Sequence, residues 1–350
     1  MKAAVMTQFR EPLEIQELPD PTPGPHDAVI RVEGCGVCRS DWHVWQGDWK
    51  WIGVEVNLPL VMGHEFGGVV EAVGTEVRNF RPGDRVTVPF HMSCGHCEYC
   101  YRGRSNLCPA HGVVGVNFHG GYGQLVLIPD ASVNLVRLPD EVDSLSAAAI
   151  GCRYMTAYHG VVDRIKIQPG EWAVVFGIGG VGISAVQIAS SLGAQVVAVS
   201  TKYEKLTLAR NEGAVITINA SADDPVAVIK DVTRGGADVT IDAFGSSKTT
   251  IPAIRSLKRG GRHLQLGLTS KQEQGIIPLP VDAMVLQEIE FIGSLGCPVT
   301  SYPGLLALIA RGKLNPKRLV KNTITADKIN QVLSSMTNFA TTGFHVITDW

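Results

Sequence analysis

Four of the chain's eight cysteines lie between Cys94 and Cys108, spaced as Cys94-x2-Cys97-x2-Cys100-x7-Cys108. Thiolates this close, in a stretch punctuated by Gly95, Gly103 and Pro109, suit a closed tetrahedral zinc site made of four cysteines. Such a site leaves no position for substrate, so its role would be structural. Iron–sulfur clusters use similar Cys-x2-Cys-x2-Cys runs, and disulfides are a third option that a reducing compartment disfavours.

A second set of candidate ligands is dispersed. Gly36-Val37-Cys38-Arg39-Ser40-Asp41-Trp42-His43 offers a thiolate, a hydroxyl, a carboxylate and an imidazole. Gly63-His64-Glu65 adds an imidazole beside an acid, and Gly151-Cys152 adds a second thiolate. Two cysteines and one histidine would make a three-ligand zinc site whose fourth position stays open to water or substrate. Taken singly, each residue has a plainer account, because lone cysteines usually pack as small buried apolar groups. Spacing alone does not bring the three together.

The third motif is Gly177-Ile178-Gly179-Gly180-Val181-Gly182, a G-x-G-x-x-G between an apolar strand pattern and an apolar helix pattern. There Gly177 permits a tight turn, Gly179 lets the backbone approach a pyrophosphate, and Gly182 lets helix pack on strand. About twenty residues on, NAD-binding units place a carboxylate on the ribose 2′-hydroxyl. Here Val197-Ala198-Val199 runs into Ser200-Thr201-Lys202 instead. Hydroxyls and a cation suit a 2′-phosphate, which favours NADP(H), with NAD(H) as the alternative. Otherwise Lys202 is a solvated residue at a helix start.

Two textures of sequence surround these motifs. From Met1 to about Ile150, short Val/Ile runs such as Ala28–Val32 and Gly67–Val73 alternate with turn signals such as Pro82-Gly83-Asp84. They predict a β-rich unit. From about Glu171, strand patterns at Trp172–Phe176, Gln195–Val199, Val215–Ile218, Ala237–Ala243 and Arg262–Leu266 alternate with helical ones at Val181–Leu192 and Tyr203–Asn211. Regular alternation predicts a parallel sheet covered by helices on both faces. The tail from about Gly296 ends in a strand pattern at Gly343–Ile347 that could return to the first unit.

Bulk properties narrow the class. A chain of 350 residues suits about two domains, and 45% apolar with 18% charged residues is ordinary globular composition. A net charge of −2 provides no field to attract nucleic acid or anionic lipid. No signal-peptide pattern opens the chain, and no apolar run is long enough to span a membrane. The expected setting is cytoplasmic, with a small molecule as partner rather than nucleic acid or membrane.

In these motifs the sequence resembles the zinc-dependent alcohol dehydrogenases of the medium-chain dehydrogenase/reductase superfamily, along essentially its whole length. The run Gly63-His64-Glu65 through Gly68, Gly74 and Val77 is similar to that family's zinc signature. The Gly36–Asp41 segment, the four-cysteine loop and the Gly177–Gly182 fingerprint follow in the family's order. The resemblance implies an α/β architecture, a Rossmann doubly wound parallel sheet plus a GroES-like β-rich catalytic domain. The catalytic domain would span 1–151 with a return at 295–350, around a dinucleotide-binding domain at 152–294.

It also implies roles. Cys38, His64 and Cys152 match catalytic zinc ligands, and Cys94, Cys97, Cys100 and Cys108 match structural zinc ligands, two zincs per chain. Glu65 is the acidic neighbour of the metal and Asp41 the carboxylate that orients the ligand histidine. Ser40 and His43 occupy proton-relay positions, Thr156 lies near the nicotinamide, and Phe90 lines the substrate pocket with Trp49. Many members carry an arginine after the glycine of the last strand, reaching the cofactor pyrophosphate. Here Phe344 and His345 follow Gly343, so Arg39 or His345 would take that work, or the cofactor would be held less tightly. Cys35 and Cys297 match no ligand position and are assigned to packing. The implied activity is reversible hydride transfer between an alcohol and NAD(P), by a homodimer or homotetramer. Alternatives are a polyol, amino-alcohol or enal substrate on the same fold, or a non-catalytic redox sensor that binds zinc and dinucleotide.

Overall fold

The computed structural model describes residues 1–110 and 112–350. They form two compact units, Met1–Met155 with Gly296–Trp350, and Thr156–Leu295. The expected spans place the boundary after residue 151 and the return at 295. The observed division instead leaves Cys152 in the first unit. The cause is local. Beyond the helix Ser144–Ala149 the chain continues as a wider helical turn, Ile150–Tyr154, and both pack on the strand Glu65–Val73 of the first unit.

In the first unit the long strand Ala28–Val37 is the organising element. It pairs antiparallel with Glu65–Val73, placing Ala28 opposite Val73 and Gly36 opposite Glu65. On its other side lies the last strand, Phe344–Asp349, with Val346 opposite Gly36. This is the return expected from the apolar tail. Strands Val320–Thr325, Arg85–Thr87, Val136–Arg137 and Leu125–Ile128 complete a seven-stranded sheet. Ile30, Phe66, Val86, Ile128 and Phe344 fill its core. A smaller sheet joins Lys2–Met6, Glu14–Glu17 and Leu60–Val61. The antiparallel register fixes a useful coincidence. Cys38 follows the end of one strand and His64 precedes the start of its neighbour, so both emerge at the same end of the sheet.

The second unit is a six-stranded parallel sheet. Its spatial order is Ala214–Asn219, Gln195–Ser200, Trp172–Phe176, Ala237–Asp242, Leu257–Gln265, Glu290–Gly293. In chain order that is 3-2-1-4-5-6, the doubly wound Rossmann arrangement. Val174, Phe176, Val197, Val199 and Ile218 are buried in one cluster with Ile229 and Ala253 from the covering helices. The near-continuous apolar strands reflect burial on both faces. The fifth strand begins at Leu257, earlier than its apolar pattern suggested, because Lys258–Gly261 form a polar, irregular start. Among the described residues, no helix is long and apolar enough to cross a membrane.

Candidate functional site

Cys38 caps the helix Arg39–Gln46. Its backbone N–H donates to Asp41 Oδ2 at 2.8 Å, so the first turn is closed by a carboxylate three residues on. Asp41 is buried and accepts two further hydrogen bonds, from Tyr122 Oη at 2.8 Å and from His64 Nδ1 at 2.9 Å. An ionised carboxylate only accepts. A proton of His64 is therefore held on Nδ1, which leaves Nε2 as the nitrogen that a metal can take. That nitrogen is buried and has no hydrogen-bond partner among the described residues. Cys38 Sγ, a ring nitrogen of His64 and Cys152 Sγ lie within 4.8 Å of one another.

An orphaned imidazole nitrogen facing two thiols fits a divalent, borderline-soft ion with a fourth position open. Hydrogen bonding to Cys152 and burial push the Cys38 thiol up, the crowding that a bound cation relieves. Burial opposes a proton on His64, yet Asp41 outweighs it and raises the ring's proton affinity well above that of an ordinary imidazole. The same basicity makes Nε2 a stronger ligand.

The other predicted residues are placed around this set. Ser40 Oγ stands 3.7 Å from Cys38 Sγ and 4.0 Å from Cys152 Sγ. His43 lies one helical turn beyond it, with Nδ1 3.4 Å from Asp48 and its ring stacked on Trp49 at 5.3 Å. Burial, then the nearby Arg39 charge, lower the His43 pKa to about 4, so the imidazole is neutral near pH 7. Phe90 meets the His64 ring edge-on at 6.0 Å. The Arg39 guanidinium lies over Trp42 at 3.7 Å and Phe339 at 4.3 Å, and donates to the Met336 carbonyl. Those contacts anchor it within its own unit. Cys35 and Cys297 are buried.

Two residues of the centre escaped the sequence reading. Tyr122 supplies the third hydrogen bond to Asp41. Arg153 is buried, pairs with Glu65 through Nε at 2.9 Å and a guanidinium Nη, and covers Phe344 at 3.8 Å. A signal for it existed: one charge inside the apolar run Ala147–Met155, directly after a candidate ligand. A cation in such a run needs a buried anion.

In the four-cysteine loop, Cys97 Sγ lies 3.5 Å from Cys100 Sγ and 3.8 Å from Cys108 Sγ, and Cys94 Sγ is 3.6 Å from Cys108 Sγ. Zinc–sulfur bonds of about 2.3 Å give a tetrahedron of edge about 3.8 Å, so these sulfurs fit one shared ion. They are too far apart for a disulfide, which needs about 2.05 Å, and all eight cysteines are free. An iron–sulfur cluster spreads its thiolates over several irons and keeps them farther apart. The backbone N–H of Cys100 leads the groups that lower the Cys97 thiol to about 7.

In the second unit the glycine motif links the strand Trp172–Phe176 to the helix Gly180–Ser191. Gly177 has φ +86°, and a Cβ there would lie 2.8 Å from that of Phe244. A Cβ on Gly182 would lie 2.0 Å from the Gly177 carbonyl oxygen, whereas one on Gly179 would meet open space. Among the described residues, no side chain caps this helix at Gly179. The N–H groups of Gly180, Val181 and Gly182 thus form a cradle for an anion at the strand-order reversal, where doubly wound sheets hold dinucleotides. Ser200 closes the second strand, and Thr201 and Lys202 follow it, both exposed. Thr156 keeps a buried hydroxyl with no partner among the described residues.

Comparison with known proteins identifies the family. Residues 24–140 match the alcohol dehydrogenase GroES-like domain and 180–311 the zinc-binding dehydrogenase family. The chain is 36% identical over 340 residues to an alcohol dehydrogenase of Geobacillus stearothermophilus, covering 96% of this chain and 95% of the relative. It is 33% identical over 354 residues to an NAD-dependent alcohol dehydrogenase of Sulfurisphaera tokodaii, covering 99% of each. The solved structure of an alcohol dehydrogenase from Thermus sp. ATN1 superposes with a TM-score of 0.91 at 31% identity, covering 100% of both chains. With a relative this similar over nearly its full length, the chain belongs to the zinc-dependent alcohol dehydrogenase family of the medium-chain dehydrogenase/reductase superfamily.

Proposed function

We propose that the protein is an alcohol dehydrogenase that interconverts an alcohol and its aldehyde or ketone, with zinc at Cys38, His64 and Cys152 and NADP(H) as the preferred dinucleotide. The observation that carries it is the convergence of those three ligand atoms with the Ser40 hydroxyl beside both thiols. When bound, the metal would supply Lewis-acid polarisation of the alcohol oxygen and the dinucleotide a hydride acceptor. The chain's own residues handle the proton. Ser40 takes it from the substrate hydroxyl, and His43, on the same helix face and neutral near pH 7, receives it toward solvent. Asp41 keeps His64 in the tautomer that leaves Nε2 free.

The cofactor preference rests on Ser200, Thr201 and Lys202 standing where a carboxylate would repel a 2′-phosphate. Exposed Ile276, Val281, Val285 and Leu286 in the second unit support assembly as a homodimer or homotetramer. Initial rates with both dinucleotides against primary, secondary, benzylic and polyol alcohols test the activity. Ser40→Ala should slow turnover at least a hundredfold with metal content unchanged, and Ser200→Asp should shift preference toward NAD. An unchanged NADP/NAD ratio would remove the cofactor assignment.

A further inference from the structure

We infer that Arg153 is a positioning residue, a buried clamp with Glu65 that sets the separation of two metal ligands before a metal arrives. The inference rests on the metal-centre reading above. His64-Glu65 and Cys152-Arg153 are two consecutive pairs, each a ligand followed by a charge, and the charges are opposite. Glu65 Oε1 accepts from the Arg153 backbone N–H at 3.0 Å and from Nε at 2.9 Å, while Oε2 takes a guanidinium Nη. The side chains are 0% and 6% exposed. A planar fork on a carboxylate fixes orientation as well as distance. Because the main-chain N–H of Arg153 is also held, the clamp acts on the backbone next to Cys152.

Two glycines give way to this pair, and an aromatic ring packs on it. A Cβ on Gly36 would lie 2.5 Å from Glu65 Oε2 and 2.9 Å from Arg153 Nη2, and one on Gly151 would lie 2.3 Å from Glu65 Cβ. At Gly151 the helical path is broken, with φ −6° and ψ −149°, immediately before Cys152. Phe344, on the last strand, floors the guanidinium. A buried ion pair is a poor device for stability alone, since apolar replacements often serve as well. Space cleared at two glycines for a pair formed by the residues that follow two ligands is accounted for by ligand placement.

The test uses the full chain, with the four-cysteine site as internal reference. Zinc stoichiometry and affinity are measured by titrating metal-free protein against a competing chelator. The variants are Arg153→Lys and the double substitution Glu65→Gln with Arg153→Met, which leaves no lone buried charge and so protects the fold. Wild type should bind two zincs. The double variant should keep the four-cysteine zinc and lose at least tenfold in affinity at the other site. Arg153→Lys, with the charge but without the fork, should fall between. Wild-type affinity in the double variant overturns the clamp. Full affinity in Arg153→Lys overturns the role of the fork. A wild type that binds a single zinc overturns the metal-centre reading and the clamp together.

Discussion

Replacing Asp41 by Asn should weaken the three-ligand centre through a change of histidine tautomer. Asp41 Oδ2 accepts from two donors, the Cys38 N–H and the Tyr122 hydroxyl, both at 2.8 Å, whereas Oδ1 accepts only from His64 Nδ1 at 2.9 Å. An asparagine has one oxygen and one NH2 group. Turning the NH2 toward Cys38 and Tyr122 would set it against two donors, and turning it toward His64 sets it against one. The second arrangement wins by about one buried hydrogen bond, roughly 1–3 kcal/mol. The amide then donates to Nδ1, the imidazole proton moves to Nε2, and the atom left free for a metal is blocked. Loss of such a ligand-orienting partner typically costs about 10–100-fold in metal affinity, or about 1.4–2.7 kcal/mol. Competition with a zinc chelator should show this loss at one site and none at the four-cysteine site. Nitrogen-15 shifts of the ring in metal-free protein, followed with rising pH until the ring is neutral, report the tautomer directly. An Asp41→Asn variant that keeps Nδ1 protonated, or binds both metals with wild-type affinity, would refute the reasoning.

Acid should act on His43. Its native pKa is lowered to about 4 by burial and then Arg39, against the pull of Asp48, while an unfolded histidine titrates near 6.5. The unfolded chain therefore binds a proton that the native state refuses, so stability is complete above about pH 6.5 and falls as pH drops toward about 4. His43→Gln should remove about 2–3 kcal/mol of that fall, and parallel urea-unfolding stabilities for the two proteins at pH 7 and pH 4 would contradict it. Cys97→Ser breaks a four-sulfur set with spacings of 3.5 and 3.8 Å at this residue, so elemental analysis should show one metal per chain and calorimetry a lower Tm. Retention of both metals would count against a shared ion. Gly182→Ala puts a methyl 2.0 Å from the Gly177 carbonyl oxygen. Forced overpacking of this kind costs about 1–3 kcal/mol, and dinucleotide affinity, followed by quenching of tryptophan fluorescence, should drop at least tenfold with metal content intact.

What could be read from the chain follows the range over which a signal acts. The cysteine loop is legible because its four ligands lie between Cys94 and Cys108, close enough for spacing to limit geometry. The parallel sheet is legible because burial on both faces writes uniform apolar runs such as Ala173–Phe176. The support around the three-ligand centre obeys no such local rule. Tyr122 reaches Asp41 across 81 residues and Arg153 reaches Glu65 across 88, distances at which no periodicity carries information. The sheet register, Gly36 against Glu65 and against Val346, brings them together. The same logic explains why the observed division falls after Met155. Texture changes near residue 151, but Cys152 belongs to the first unit because Glu65 holds the peptide of Arg153 to that sheet. The remaining local clue is chemical. A charged residue in an apolar run must find its counter-charge inside the fold, so Arg153, next to a candidate ligand, implies a buried acid near that ligand, and Glu65, next to another candidate ligand, is the acid placed to meet it.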